Sequence, residues 1–140
     1  MRHVVFSLIL SLVMLAGGCK SPSNPEAEKA AVQAAQDWLA LVDADQYAES
    51  WDEAAAYFKN ALAREKWVET IQGVRDPLGT VKTRSVKSNR YRTSVPGAPD
   101  GEYVIVQFKT SFENKQSAIE TITPMLEKDG TWRVSGYYIK

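Results

Sequence analysis

Residues 102–113 read EYVIVQFKTSFE, and this stretch decides the fold. Val104, Val106, Phe108, Thr110 and Phe112 fall on one side of an extended chain; Tyr103, Ile105, Gln107, Lys109 and Ser111 fall on the other. Strict alternation of this kind marks a strand with one face in a core and one toward solvent. Asn114-Lys115 behind it predicts a tight turn, and Gln116 to Lys128 returns as a strand in which Pro124 points to an edge or a bulge. Asp129-Gly130 is a hairpin signal, so Thr131 to Ile139 crosses once more, with Trp132, Val134, Gly136 and Tyr138 expected on one face. Upstream, residues 80–94 are rich in Thr, Ser, Val and basic side chains, and the loop Ser94 to Gly101 holds Pro96, Gly97 and Pro99. Four antiparallel strands are expected.

Before residue 80 the apolar period is helical. Asn24-Pro25-Glu26 reads as a helix start, with Asn24 as cap, Pro25 in the first turn and Glu26 and Glu28 at the positive end of the dipole. Ala27, Ala31, Ala34, Trp38 and Leu41 then form one stripe, broken at Asp43-Ala44-Asp45. Tyr47, Trp51, Ala54 and Phe58 predict a second helix, and Ala63, Trp67, Ile71 and Val74 a third, stopped by Pro77 and Gly79. Three helices followed by four strands give an α+β domain over residues 25–140, with the helices packed on one face of the sheet.

The chain has 140 residues, with 17 Lys+Arg against 17 Asp+Glu, one His and one Cys. Zero net charge excludes a protein built to neutralise phosphates, so no nucleic-acid partner is expected. One Cys excludes an intrachain disulfide and a Cys-rich metal site. That Cys is placed tellingly. Residues 1–18 carry Arg2, an apolar run from Val4 to Ala16, and Gly17-Gly18. The run is shorter than the ~20 residues a spanning helix needs and fits a signal-peptide core. Leu15-Ala16-Gly17-Gly18-Cys19 resembles a bacterial lipobox, with Ala16 in the place usually held by Leu. The resemblance implies diacylglycerol on Cys19, cleavage before it, and a lipidated tether over 19–24. It places the protein in the bacterial cell envelope, membrane-bound through Cys19. Lys20, where Asp would signal inner-membrane retention, points to the outer membrane, facing the periplasm. His3 leaves with the leader, so the mature chain would hold no histidine.

Several phrases together resemble one bacterial family: Tyr47 with Trp51, the Trp67 helix, Arg75-Asp76-Pro77-Leu78-Gly79, the run Pro96 to Tyr103, Glu120-Thr121, and Asp129 to Tyr137. They resemble the domain-of-unknown-function 4019 family over about residues 28–139. The resemblance implies a cystatin-like cone similar to nuclear transport factor two. It implies no reaction, and no catalytic residue carries over.

Without histidine, a His–Asp dyad and Ser–His or Cys–His nucleophiles are excluded. Any acid–base group must be a carboxylate raised by burial or a Lys or Tyr lowered by it. Glu120, among Ile119, Ile122 and Met125, is the best carboxylate. Paired to Arg84 or Arg133, it is a structural ion pair instead. A ligand pocket inside the cone would be lined by Trp51, Trp67, Arg75, Arg84, Phe108, Glu120 and Tyr138. Asp43 with Asp45, and Asp52 with Glu53, lack calcium-loop spacing, so neither metal nor cofactor is expected. Charge is segregated. Residues 26–53 hold eight acids and Lys29; residues 80–95 hold Lys82, Arg84, Lys87, Arg90 and Arg92 and no acid. The basic strand suits an anionic envelope component or an acidic protein partner. The leading expectation is a non-catalytic binding module with no catalytic residue. The alternatives are an isomerase- or dehydratase-like enzyme using a pocket carboxylate, and an accessory subunit that dimerises through the outer sheet face at Tyr103, Ile105 and Ile139.

Overall fold

The structure, a computed structural model, describes residues 22–140. The leader, Cys19 and the start of the tether lie outside the described residues. Among the described residues the chain forms α1 (Pro25–Asp43), α2 (Tyr47–Asp52), α3 (Ala56–Ala61), α4 (Arg64–Arg75), a 3₁₀ turn (Asp76–Leu78), and β1 (Val81–Arg92), β2 (Tyr103–Phe112), β3 (Lys115–Leu126) and β4 (Trp132–Ile139). The strands form one antiparallel sheet in the order β1-β2-β3-β4, so β1 and β4 are its edges. The protein is α+β, but the expected three helices are four.

The local reasons are legible. The Asn24 side chain accepts the Ala27 N–H at 3.1 Å and closes the start of α1. Asp45 ends it in the left-handed region, φ 61°, a conformation Asp tolerates better than most residues. Gly79 takes φ 74° where the 3₁₀ turn enters β1, and a Cβ there would stand 2.9 Å from the Glu113 Cβ, so only glycine fits. The expected second helix breaks at Glu53–Ala55 into α2 and α3 for a non-local reason. Ala55 N–H donates to the Val134 carbonyl at 2.8 Å, and the Glu127 carboxylate caps Ala56 N–H at 2.7 Å. Both partners lie more than seventy positions downstream in the chain.

Helix α1 lies against all four strands. Its buried face is Ala27, Ala31, Ala35, Trp38, Leu39 and Val42, packed with Val104, Val106, Phe108, Ile122 and Val134. This face is rotated from the expected stripe: Ala34 and Leu41 are only half-buried. In α4 the core positions are Trp67, Ile71 and Arg75, whereas Val74 is exposed. In β2 the alternation holds for Val104, Val106, Phe108, Thr110 and Phe112, all buried. Tyr103, expected on the exposed face, is buried too, with its hydroxyl bonded to the Pro99 carbonyl at 2.5 Å.

The last strand contains the largest change from expectation. Ile122 pairs with Tyr137 and Pro124 with Val134, so one residue of β3, Thr123, opposes two of β4, Ser135 and Gly136. This bulge reverses side-chain parity within β4. Trp132 and Val134 face the helices, but beyond the bulge Tyr137 does so and Tyr138 turns outward, 60% exposed. Trp132, expected as a core residue, is half-buried.

The tryptophans are fixed by hydrogen bonds as well as packing. Trp38 lies 5.9 Å from Trp67 and 5.3 Å from Tyr137, and Phe58 stands edge-on to Trp67 at 5.0 Å. Ser50, fully buried in α2, serves both indoles: its carbonyl accepts from Trp38 Nε1 at 2.7 Å and its hydroxyl from Trp67 Nε1 at 2.9 Å. Ser50→Ala strands the Trp67 donor in an apolar site. The expected cost is about 1–3 kcal/mol in urea unfolding, against a few tenths for an exposed serine. A cost at the exposed-site level would show that the hydroxyl does not hold the indole.

Candidate functional site

Glu120 sits on the inner face of β3, opposite Phe108 and fully buried. An isolated carboxylate there would be prohibitively costly, so its partners define the site. Arg84 Nε donates to Oε1 at 2.8 Å, the Thr110 hydroxyl to the same oxygen at 2.5 Å, and the Tyr137 hydroxyl to Oε2. The rest of the Arg84 guanidinium forks onto Asp43, Nη1 to Oδ2 at 2.6 Å and Nη2 to Oδ1 at 3.0 Å. Arg75 Nη2 reaches the same Oδ1 at 2.8 Å. Two acids and two arginines thus neutralise one another across α1, α4, β1 and β3. A lysine could not replace Arg84, because three donors must point in a fixed plane.

The ionisation states follow from this geometry. Burial pushes the Asp43 carboxyl up, but hydrogen bonds and charge from Arg84 and Arg75 outweigh it and hold the group below the usual carboxylate range. Burial, and then the charge of Glu120, push the Tyr137 phenol far above its ordinary value, so it remains a donor. Arg75 is nearly enclosed: its Nε and Nη1 have no hydrogen-bond partner, and its guanidinium lies over the Phe112 ring, 5.0 Å from the centroid. The negative ring face supplies part of what those donors lack.

The residues expected to line an internal pocket are thereby located. Arg75, Arg84 and Glu120 come together, but in a closed, paired network. Trp67 and Phe108 are packed in the core. Trp51 is half-buried beside it, with its indole N–H bonded to the Leu62 carbonyl at 2.7 Å. Tyr138 is on the opposite face of the sheet. Asp43, which the sequence raises at a helix break and as a metal ligand lacking calcium-loop spacing, completes the network with Thr110 and Tyr137, which it does not single out. Thr110 could have been singled out, as the one polar residue in an otherwise apolar inward series.

An opening among the described residues lies elsewhere, between α1, α2 and the start of β4, with a volume of about 730 Å³. Its apolar floor includes Ala34, Leu41, Trp132 and Val134, and Trp38 reaches it from the core. Its acidic rim is Asp37, Glu49, Asp52 and Glu53, with Arg133 as the single base. Arg133 is near Glu53 at 3.7 Å and Asp129 at 3.6 Å, and Asp52 is clasped by Arg64 at 2.9 Å. Asp37 and Glu49 have no cationic partner among the described residues. No group of three or more His, Cys, Asp or Glu among the described residues is arranged to hold a metal ion.

Comparison with known proteins finds one family, described as "Protein of unknown function (DUF4019)", whose profile matches residues 34–137. No curated protein matches the chain.

Two measurements test the network. Arg84→Met leaves Glu120 buried without its counter-charge and should cost about 3–5 kcal/mol; Arg84→Met with Glu120→Met should recover part of that loss. Asp43 contributes stability at and above the unfolded carboxylate pKa of about 3.9, and that contribution disappears as pH falls through its lower folded value. Asp43→Asn should therefore be less stable at neutral pH and lose less further stability below about pH 4. Parallel stability–pH curves for the two proteins would contradict the assignment.

Proposed function

Since the chain belongs to the DUF4019 family, we propose that it is a non-catalytic binding module, lipid-anchored in the bacterial cell envelope, with a cystatin-like cone fold resembling nuclear transport factor two. The cone's interior is filled in this reading, and the working surface is the groove between α1, α2 and β4. The carrying observation is the state of Glu120. Among the described residues it is the one carboxylate with no solvent exposure, and its oxygens are occupied by Arg84, Thr110 and Tyr137. A general base must come within about 2.6–3.2 Å of the proton it takes, and no substrate reaches Glu120 without dismantling the core.

The groove supports the binding half of the reading. Its volume of about 730 Å³ is in the range of ligand sites, and an apolar floor under acidic groups is complementary to an apolar, positively charged ligand. Anchorage rests on the lipobox-like Leu15 to Cys19, and an outer-membrane location on Lys20.

Both halves are testable. Cys19→Ala should leave uncut precursor without the lipid mass; a mature chain with a free Cys19 thiol would refute the anchor. Indole fluorescence should report binding at the groove, because Trp38 and Trp132 line it. A short Leu/Lys peptide should bind, more weakly as salt rises, and its Leu/Glu counterpart should not. Asp37→Lys and Leu41→Arg should each abolish the effect. Equal binding of both peptides, or of neither, would remove the groove from the proposal.

A further inference from the structure

We infer that the edge strand β1 is the surface this domain lays on an anionic bilayer, so that the sheet stands edge-on and the groove points away from the membrane. The inference rests on the anchor at Cys19 and adds an orientation to it. Three observations carry it.

The first is where the chain leaves the fold. Pro22 and Ser23 line a small cleft with Arg90 and Arg92 at the end of β1. Cys19 is three residues before Pro22. Three extended residues span at most about 11 Å, which is close to the Debye length of roughly 8–10 Å at physiological salt. An acylated Cys19 would therefore hold this end of β1 where headgroup charge is still felt.

The second is charge along the strand. Arg84 is consumed by Asp43 and Glu120, but Lys82, Lys87, Arg90 and Arg92 form no ion pair among the described residues. Lys82, Lys87 and Arg90 are exposed, and β1 contains no acid. By the usual value for a basic side chain at an anionic surface, each contributes about fivefold to the membrane-apposed state.

The third decides between two ways of resting on a short tether. The strand register brings the end of β1, the start of β2, the end of β3 and the start of β4 to the tether end of the sheet. That end is mixed in sign: Glu26, Asp100, Glu127 and Asp129 stand there with Arg90, Arg92, Lys128 and Arg133. Standing on it would press its carboxylates into anionic headgroups together with its bases. Tipping onto the β1 edge keeps Arg90 near the surface, adds Lys82 and Lys87, and brings no acid of the strand with them. The β4 edge is then about 14 Å further from the surface, at three interstrand spacings of about 4.8 Å, and it carries the wall of the groove.

The test uses the full, processed chain. With Cys19 acylated, a cysteine introduced by Ser85→Cys on β1 or Tyr138→Cys on β4 is the one labelled thiol. Each labelled protein is placed on phosphatidylglycerol/phosphatidylethanolamine vesicles carrying a headgroup quencher. The Ser85 position should be quenched several-fold more than Tyr138. The difference should collapse on phosphatidylcholine, at high salt, and in Lys82→Glu/Lys87→Glu/Arg90→Glu. Equal quenching at both positions, stronger quenching at Tyr138, or a preference that survives charge reversal would overturn the orientation while leaving the anchor standing. Labelled protein that does not float with vesicles overturns the anchor itself, and the orientation with it. Loss of the Ser85 signal to a soluble polyanion at equal charge concentration would assign the strand to a polymer and not a bilayer.

Discussion

A carboxylate with no access to water must be neutralised, and the placement of Glu120 imposes that condition on most of this domain. Its counter-charge comes from Arg84, two strands away on the sheet's inner face. The remaining guanidinium nitrogens of Arg84 require Asp43, which fixes where α1 must end, and Asp43 in turn receives Arg75 from the end of α4. The β4 bulge turns Tyr137 inward to supply Glu120 with its last donor. Packing of Trp38, Leu39 and Val42 and the Trp38–Ser50 hydrogen bond hold the middle of α1 on the sheet. The charge network ties down its C-terminal end.

This division of labour explains what the sequence made legible. Element type and order depend on local period, and the strong periods of α1, β2 and β4 are unambiguous. Ala34 and Leu41 share the spacing of Ala27 and Ala31, so the sequence puts them on the same stripe, yet they are half-buried. A helix carrying apolar side chains over a wide arc does not say which part of it meets the sheet. Here Ala35 and Leu39 took the core positions, and the displaced residues became the groove floor. The break between α2 and α3 was illegible for a different reason. Its determinants, the Val134 carbonyl and the Glu127 carboxylate, are contacts between distant parts of the chain.

The site was legible in composition and not in geometry. Pairing of Glu120 with Arg84 was one of the alternatives open to the sequence, and the structure selects it. Strict alternation from Trp132 puts Tyr138 on the inner face with them. A single extra residue opposite Ile122–Pro124 inverts that count, so Tyr137 holds the position. Pro124 and Gly136, neither of which favours a regular central ladder, mark where the irregularity falls. They signal that parity changes without saying which strand holds the added residue.

The closed interior also bears on the distribution of surface charge. Arg75 and Arg84 are balanced inside by Asp43 and Glu120, so the buried network carries no net charge outward. What remains at the surface is uneven: an acidic rim on α1 and α2, and an acid-free β1 at the opposite edge of the sheet. An edge strand needs protection from pairing with other strands, and basic side chains provide it. That function alone would be served by charges of either sign, or by both. Uniform sign along β1, beside the point where the tether leaves the fold, asks for an additional cause, and an anionic surface supplies one that the need for edge protection does not.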